Sequence, residues 1–368
     1  MTQRVNWSVD RVIPIANNLA VGNKKMLKRK VLIIAVISAA FVAYFPVGHV
    51  GARLNPRLTT LQWRADILKA SIKIPGCYYA KYPHVIWLHQ TCTTPTFVPY
   101  GARSGVTERL VSNAFDYQTG SPPASAYLKT VAAQFTTVST GGESGPFDGT
   151  GAMTPNVYSL QINSQFFVTA LCGGTPGCSG WEQFVYSNSI HSVLLQYWLV
   201  GFKPTTTHKC PAGFGAYYPN CARNALGYAS ITSSPTPITQ LKDLVIQGKT
   251  TGALDTATIV RTNGSTTGTA TTIAVPNSMG LYTHWKSVEF GIYGDGGSSR
   301  ATFTGTTTLV AKETLSLSNL AAFPPTCAKT GFTGESNNLY LAPTPVKTPG
   351  TAATFTFTER NIPSTLAC

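Results

Sequence analysis

From Cys77 onward, apolar and polar residues alternate over short stretches, and clusters of Gly, Pro, Asn and Ser bound each stretch. Alternation with period two marks a strand with one buried face. Residues 157–162, 183–186, 193–200, 256–260, 287–293, 302–310 and 353–358 read this way. No body segment sustains a helical period beyond a few turns. The pattern predicts an all-β fold, an antiparallel β-sandwich of jelly-roll or concanavalin-like type. The Thr-rich run 250–272 contains Asn263-Gly264, a two-residue hairpin signal, so 241–273 is expected as a β-hairpin region. Residues 114–155, rich in Gly, Ser and Pro, are expected to form a long loop with a strand inside it. Ahead of the body, Leu54, Leu58, Leu61, Ile67, Leu68 and Ile72 are loosely helical in spacing. The expected organisation is a leader over 1–52, a linker or pro-segment over 53–76, a small N-terminal lobe over 77–150 and the main β-sandwich over 151–368.

The leader has its own pattern. Lys28-Arg29-Lys30 precedes an apolar run from Val31 to Phe45, followed by Pro46, Gly48 and Val50-Gly51-Ala52. This order reads as the charged, apolar and small-residue regions of a signal peptide, with translation from Met26 giving a compact one. The run falls short of the roughly 20 residues of a comfortable membrane span. The alternative is an uncleaved signal anchor, and in both cases the basic residues orient the following chain outward. The expectation is a secreted protein, or a periplasmic or envelope-anchored one, touching membrane only through this segment.

The eight cysteines agree, since all lie after the leader, as suits an oxidising compartment. Spacing favours near neighbours: Cys77–Cys92, Cys172–Cys178, Cys210–Cys221 and Cys327–Cys368. Zinc sites use close cysteine pairs with histidine partners; the chain has no C-x2-C and its six histidines are scattered, so no metal is expected.

Composition narrows the classes. Of 368 residues only 11% are charged, with 33 Gly and 24 Pro, against about a quarter charged in an ordinary globular protein. That excludes a coiled coil, a highly charged disordered chain and a collagen. The formal charge is +14, but residues 1–30 hold seven basic side chains against Asp10. From Arg53 onward there are 21 basic and 13 acidic residues, a net of +8, spread singly. Nucleic-acid binding needs a concentrated basic footprint, so no nucleic-acid partner is expected; a mildly basic body suits anionic cell-wall polymers. There is no G-x-S-x-G, no H-E-x-x-H and no phosphate loop before a helix, and no cofactor is expected.

The chemistry lies in the second face of the strands, because successive strand residues point to opposite sides. In 285–293, Val288, Phe290 and Ile292 form an apolar face, and Trp285, Glu289 and Tyr293 the other. In 193–200, Leu195, Tyr197 and Leu199 oppose Gln196 and Trp198. In 158–163, Tyr158, Leu160 and Ile162 oppose Ser159, Gln161 and Asn163. In 181–187, Gln183 shares a side with Trp181 and Val185, while Glu182 sides with Phe184 and Tyr186. A face of amides, indoles and a carboxyl suggests a groove. It has two uses. One is hydrolysis of a polypeptide: Glu289 among aromatics would act as general base and then general acid, and Gln183 would donate to the oxyanion, with Glu182 or Gln196 as substitutes. Gln196, Trp198, Trp181, Trp285, Tyr293, Gln161 and Asn163 would line the groove. The other use is non-catalytic binding of a cell-wall glycan, with indoles stacking on sugars and amides bonding hydroxyls. Elsewhere, Tyr293-Gly294-Asp295-Gly296-Gly297 reads as a hairpin turn, too poor in oxygens for calcium. Gly334-Glu335-Ser336-Asn337-Asn338 reads as a polar turn at a groove rim.

Three stretches also carry a resemblance. Gly180-Trp181-Glu182-Gln183-Phe184-Val185-Tyr186, Gln196-Tyr197-Trp198-Leu199-Val200-Gly201-Phe202 and the Cys210 to Cys221 loop resemble the order of elements in the neprosin-type and fungal glutamic peptidases. Trp285 with Val288-Glu289-Phe290-Gly291 looks like their Trp-rich strand ending in Glu-Phe-Gly. The likeness covers residues 157–294. It implies a secreted β-sandwich that uses a Glu with a second Glu or a Gln and acts in acid. The chain departs from that pattern in having both Glu182 and Gln183 where one partner is expected. Gln196-Tyr197-Trp198-Leu199 also resembles strings in uncharacterised exported bacterial proteins, which imply no activity.

Overall fold

The computed structural model describes residues 59–94, 98–101, 117–146, 152–231, 234–264, 266–329, 331–363 and 368. The expected leader lies outside them. Two large antiparallel sheets make a disulfide-stabilised all-β sandwich. The larger runs in the order Leu88–Gln90, Gly76–Lys81, Thr267–Pro276, Leu254–Asn263, Leu244–Thr250, Leu128–Ser139, Thr308–Leu317, Ala353–Arg360 and Tyr340–Leu341. The smaller runs Gly215–Tyr217, Asn220–Asn224, Ser192–Val200, Ser179–Ser187, Ser159–Ser164, Ser287–Tyr293, Tyr117–Gly120 and Thr326–Lys329.

The core is what the alternation requires. Leu160, Ile162, Phe184, Leu195, Leu199, Val288, Phe290 and Ile292 from the smaller sheet meet Val131, Phe135, Ile246, Ile259, Ile273, Leu315 and Phe355 from the larger, all buried in one cluster. Phe135 and Phe290 meet across the interface with ring centres 5.4 Å apart and planes tilted by 40°. Apolar burial of this kind contributes about 1.5–3 kcal/mol per large side chain before chain entropy is counted.

Several sequence expectations need correction. Residues 77–150 are not a separate lobe: residues from Arg53 onward form one compact unit, and the Leu128–Ser139 strand sits between strands 244–250 and 308–317. Nor is 114–155 mainly loop, because that twelve-residue strand buries Leu128, Val131, Ala133 and Phe135 on one side. Small residues and Thr on its other side hide its periodicity. The expected strand 302–310 is two strands, Arg300–Thr304 and Thr308–Leu317, because Gly305 turns the chain with a left-handed φ of 66°. The Asn263-Gly264 hairpin is present, joining Leu254–Asn263 to Thr267–Pro276, but it belongs to a run of three strands that begins at Leu244.

The expected linker holds a docked helix, Thr60–Lys69. It starts at a capping box, in which the Thr59 hydroxyl accepts from the Gln62 amide and the Gln62 side chain accepts from the Thr59 amide. Its anchor is Trp63, fully buried on the outer face of the larger sheet with its indole N–H donating to His84 O at 2.9 Å. A Cβ on Gly268 would fall 2.5 Å from that ring, so only glycine lets the helix approach.

Cys77–Cys92, Cys172–Cys178 and Cys210–Cys221 are bridged as expected. The fourth bridge, Cys327–Cys368, is not formed; Cys327 keeps a thiol on the edge strand Thr326–Lys329.

A buried row of amides and carboxyls as the candidate functional site

Strand register brings the predicted polar residues into one line. Glu289 pairs with Asn163, Asn163 with Gln183, Gln183 with Gln196 and Gln196 with Asn224. Five neighbouring strands therefore each place one polar side chain in a row across the outer face of the smaller sheet. Gln161 lies in the adjacent row, opposite Gly291 and Val185.

Hydrogen bonds join the row from one end. Asn163 Nδ2 donates to Glu289 Oε2 at 3.1 Å and to Gln161 Oε1 at 3.2 Å. Gln183 Nε2 donates to the same Gln161 oxygen at 3.2 Å. Gln161 Nε2 in turn donates to Ser159 Oγ at 2.9 Å. Asn163 Oδ1 and Gln183 Oε1 are buried acceptors with no donor among the described residues, an arrangement that normally costs about 1–3 kcal/mol per group. At the other end the Gln196 carboxamide is filled. It accepts from Tyr100 N at 2.7 Å and Trp198 Nε1 at 3.0 Å, and donates to Val98 O at 2.9 Å and Asn224 Oδ1 at 2.8 Å. Gln196 is thus the anchor of residues 98–101 rather than an open groove residue.

Two loops roof this face. Residues 98–101 are pinned by Gln196 and by Asp295, which accepts from the Tyr100 hydroxyl at 2.5 Å, Ser187 Oγ at 2.9 Å and Ser189 N at 3.0 Å. Residues 331–338 lie over the Glu289 end: Phe332 N and Thr333 N donate to Glu289 Oε2 at 3.0 and 3.3 Å. The loops are tied to each other where Gly334 N donates to Gly101 O at 2.7 Å. Glu289, Gln161, Asn163, Gln183 and Gln196 are consequently all fully buried.

The roof brings a second carboxyl, Glu335. It is fully buried, with Oε2 accepting from the Thr333 hydroxyl at 2.5 Å and Oε1 from Ser298 N at 3.1 Å, and the Gln161 side chain is close enough to lower its pKa. Burial pushes its pKa up to about 7, against the opposing effect of those hydrogen bonds. Asn163 and Gln161 thus lie between the two acids, Asn163 bonded to Glu289 and to Gln161, and Gln161 beside Glu335. The sequence identified 334–338 only as a polar turn, and alternation carries no signal for an acid that enters a site from above the sheet.

The aromatic residues divide. Trp181 and Trp198 pair across strands on the polar face with ring centres 6.3 Å apart, and both are fully buried beneath Phe332 and beside Phe166 and Tyr217. Tyr293 is on this face too. A Cβ on Gly291 would lie 2.5 Å from its hydroxyl, so that glycine admits the ring over its own strand. Trp285 is not on this face. It stacks on Phe184 at 5.4 Å in the inter-sheet core, because the chain enters the 287–293 strand from the 3-10 turn Leu281–Thr283 and the parity does not extend back to 285.

Glu182 is also not on this face. It points between the sheets toward Asp255, with both carboxyl oxygens buried and without a hydrogen-bond donor. Burial, then Asp255, raises its pKa well above the ordinary value, with the Arg223 charge opposing. Asp255 accepts from the Thr250 hydroxyl at 2.6 Å and the Tyr197 hydroxyl at 3.1 Å and is pushed up to about 7 by burial. This position removes Glu182 as a substitute for Gln183.

A cavity of about 400 Å³ opens at the Asn224 end of the row, walled by Gly215, Tyr217, Ala222, Arg223 and Asn224. Among the described residues no group of three or more His, Cys, Asp or Glu could hold a metal ion. No family model, no curated protein and no solved structure matches this chain.

Proposed function

We propose that the protein is an exported, acid-acting endopeptidase of the glutamic type, with Glu289 as general base and Glu335 as the second carboxyl. The observation that carries this reading is the acid pair: two fully buried carboxyls flanking the hydrogen-bonded Asn163 and Gln161 amides, with Gln183 beside them. Their surroundings differ in the sense that acid–base work requires. Glu289 Oε2 accepts three N–H donors, so that oxygen carries no proton. Glu335 is held protonated in acid by burial.

In the proposed reaction Glu289 takes a proton from water as the water oxygen bonds to the scissile carbonyl carbon. The carbonyl oxygen gains the negative charge and accepts a hydrogen bond from the remaining amide hydrogen of Gln183. The intermediate then collapses, the C–N bond breaks, and a carboxyl proton passes to the leaving amine. The roof of residues 331–338 must lift for substrate to reach Glu289. The 400 Å³ cavity offers a place for a substrate side chain outside the row. Three disulfides suit an oxidising, extracellular-type compartment, and no helix among the described residues is long and apolar enough to cross a membrane.

The alternative of glycan binding without catalysis relied on indole faces; Trp285 stacks in the inter-sheet core, and Trp181 and Trp198 lie under Phe332, so that reading needs the same lifting of residues 331–338. The test is cleavage of an acid-denatured protein between about pH 3 and 5, the range in which carboxyl groups change state. Cleavage that disappears in Glu289→Gln supports the reading. No cleavage across that range, or cleavage unchanged in Glu289→Gln, ends it, and retention on cell-wall polysaccharide without cleavage would favour the binding protein.

A further inference from the structure

An apolar row runs beside the amides on the outer face of the smaller sheet. Trp181 pairs with Trp198 and Trp198 with Ala222, each two residues along its strand from Gln183, Gln196 and Asn224. Alternate residues of a strand are about 7 Å apart, so the two rows are neighbours. Both indoles are fixed by their N–H groups, Trp181 Nε1 donating to Ser164 O at 2.9 Å and Trp198 Nε1 to Gln196 Oε1 at 3.0 Å. What they offer a visitor is carbon. Phe166 meets Trp181 edge-on with ring centres 5.9 Å apart, and Tyr217 meets Trp198 in the same way at 5.3 Å. Phe166 and Tyr217 are both exposed. At its far end the row runs into the 400 Å³ cavity, of which Ala222 is part of the wall.

Phe332 sits on this row. It packs against the cluster of Trp181, Trp198 and Ala222, and its ring centre lies 4.9 Å from that of Phe166. It is the one apolar residue of Gly331-Phe332-Thr333-Gly334-Glu335-Ser336-Asn337-Asn338. Its ring stays partly exposed and does not belong to the inter-sheet core. Its own N–H, and that of Thr333, donate to Glu289. A single loop residue thus sets a peptide group against the candidate general base and a benzyl ring against the indoles. A bound polypeptide would have to make the same two contacts to reach Glu289, and it must displace Phe332 to make them.

We propose that the Phe332 ring fills a subsite for a large apolar side chain, aromatic above all, of a polypeptide ligand, and that residues 331–334 block this site as an internal mimic of that ligand. That the ligand is then cleaved next to this residue rests on the peptidase reading; the subsite itself does not. A ligand that competes with an internal segment binds with its intrinsic affinity reduced by the fraction of molecules in the open state. Removing the ring should therefore tighten binding rather than weaken it.

The test has a binding arm and a cleavage arm, both on the full chain. In the first, tryptophan fluorescence at about pH 4 follows titration with N-acetylphenylalaninamide, N-acetylglycinamide and benzyl alcohol. Phe332→Ala, folded by circular dichroism, should bind N-acetylphenylalaninamide saturably and at least about tenfold more tightly than the unaltered chain. It should bind N-acetylglycinamide and benzyl alcohol more weakly, since each lacks one of the two contacts. Adding Phe166→Ala, at an exposed position, should cost about two- to tenfold in affinity for the phenylalanine amide. No saturable binding by folded Phe332→Ala overturns the proposal, and so does equal affinity for benzyl alcohol, which would mark a plain cavity. In the second arm, cleavage sites in an acid-denatured protein are mapped by mass spectrometry. Phe, Tyr, Trp or Leu should be enriched at one fixed position beside the cut, and Phe332→Ala should raise kcat/KM severalfold through a lower KM. Cleavage without such a preference overturns the subsite and leaves the peptidase reading standing. Absence of cleavage with the expected binding does the opposite, ending the peptidase reading and supporting the subsite.

Discussion

Glu182 and Glu289 lie in the same sheet and are equally inaccessible to water, yet they are held in opposite ways. Glu289 points outward into a lattice of amides, with Asn163, Phe332 and Thr333 donating to one oxygen. Glu182 points inward, where neither oxygen meets a donor and Asp255 is its nearest acidic neighbour of consequence. A buried carboxylate without donors is far costlier than a buried carboxylic acid. The inner face therefore requires its acid neutral, while the outer face can support charge. The same contrast runs through the molecule: eight of the ten acidic residues among those described are buried. Asp255, Asp295, Glu313 and Glu335 lie between these extremes: each accepts at least one hydrogen bond, yet burial still raises its pKa.

The largest expected effect is the dependence of stability on pH. Burial, as the leading cause, raises Glu143, Glu313 and Glu359 from 4.5 to about 8. Glu143 also faces Asp295, Glu313 accepts from the Thr119 hydroxyl, and Glu359 bonds Asn337. A folded value above the unfolded one means that the unfolded chain ionises first as pH rises. The stabilisation is then complete below about 4.5, declines through neutrality and is gone above about 8. At about 1.4 kcal/mol per pH unit between the two values, each group loses on the order of 5 kcal/mol. Three such groups rival the whole stability of an ordinary domain, about 5–15 kcal/mol. The urea midpoint should be highest near pH 3–4 and fall steadily to pH 8. A midpoint that is flat or rises over that range would show that these carboxyls have N–H donors like those of Glu289.

Next in size is the activity split between the two glutamates. Loss of a general acid–base group typically costs 10²–10⁴ in rate. Glu289→Gln and Glu335→Gln should each lower acid proteolysis by that order, while Glu182→Gln should leave kcat within about twofold. Equal losses in Glu182→Gln and Glu289→Gln, with both variants folded by circular dichroism, would break the distinction between the faces.

Much of this geometry was legible beforehand. Alternation alone placed Gln161, Asn163, Gln183, Gln196, Trp181, Trp198 and Glu289 on one face and Glu182 on the other, because strand parity is a property of extended backbone. It failed wherever the backbone was not extended. Trp285 precedes the strand by a 3-10 turn, and Gly305 breaks what looked continuous. It also could not reveal what lies above a sheet. Glu335 and Tyr100 reach the site through loops whose long-range contacts leave no local periodicity, and they turn the expected groove into a roofed layer. Cysteine spacing identified the three short bridges, but the long one it proposed, Cys327–Cys368, is not formed, since proximity in sequence says little about residues 41 positions apart.

A smaller effect sharpens the comparison through stability alone. Removing the charge-capable group from the inner face should help the fold where that group would ionise. Glu182→Gln should leave the urea midpoint nearly unchanged near pH 4 and raise it near pH 8, by about 1–3 kcal/mol in equivalent stability. Glu289→Gln should lower the midpoint instead. It sets an NH2 donor among the donors from Asn163, Phe332 and Thr333 and should destabilise by about 1–3 kcal/mol at both pH values. Parallel behaviour of the two variants would remove the donor argument for the outer row.

The smallest effect concerns Cys327, which lies on the outermost strand of the same sheet. Its strand pairs on one side only, with Tyr117–Gly120, and its thiol is half-buried and outside any bridge. A bridge from Cys327 to Cys368 would close a loop of about 40 residues, and losing such a bridge would cost about 2–5 kcal/mol. Without the bridge, Cys327→Ser removes only a partly covered sulfur and should shift stability by no more than about 0.5 kcal/mol. Thiol titration of the unfolded, unreduced chain should find two reactive groups, since three bridges account for six of the eight cysteines. A count of zero, together with a large loss in Cys327→Ser, would mean that this edge of the sheet is covalently fastened. The roof of residues 331–338, which begins just after that strand, would then be held from one end, and its lifting away from Glu289 would be correspondingly harder.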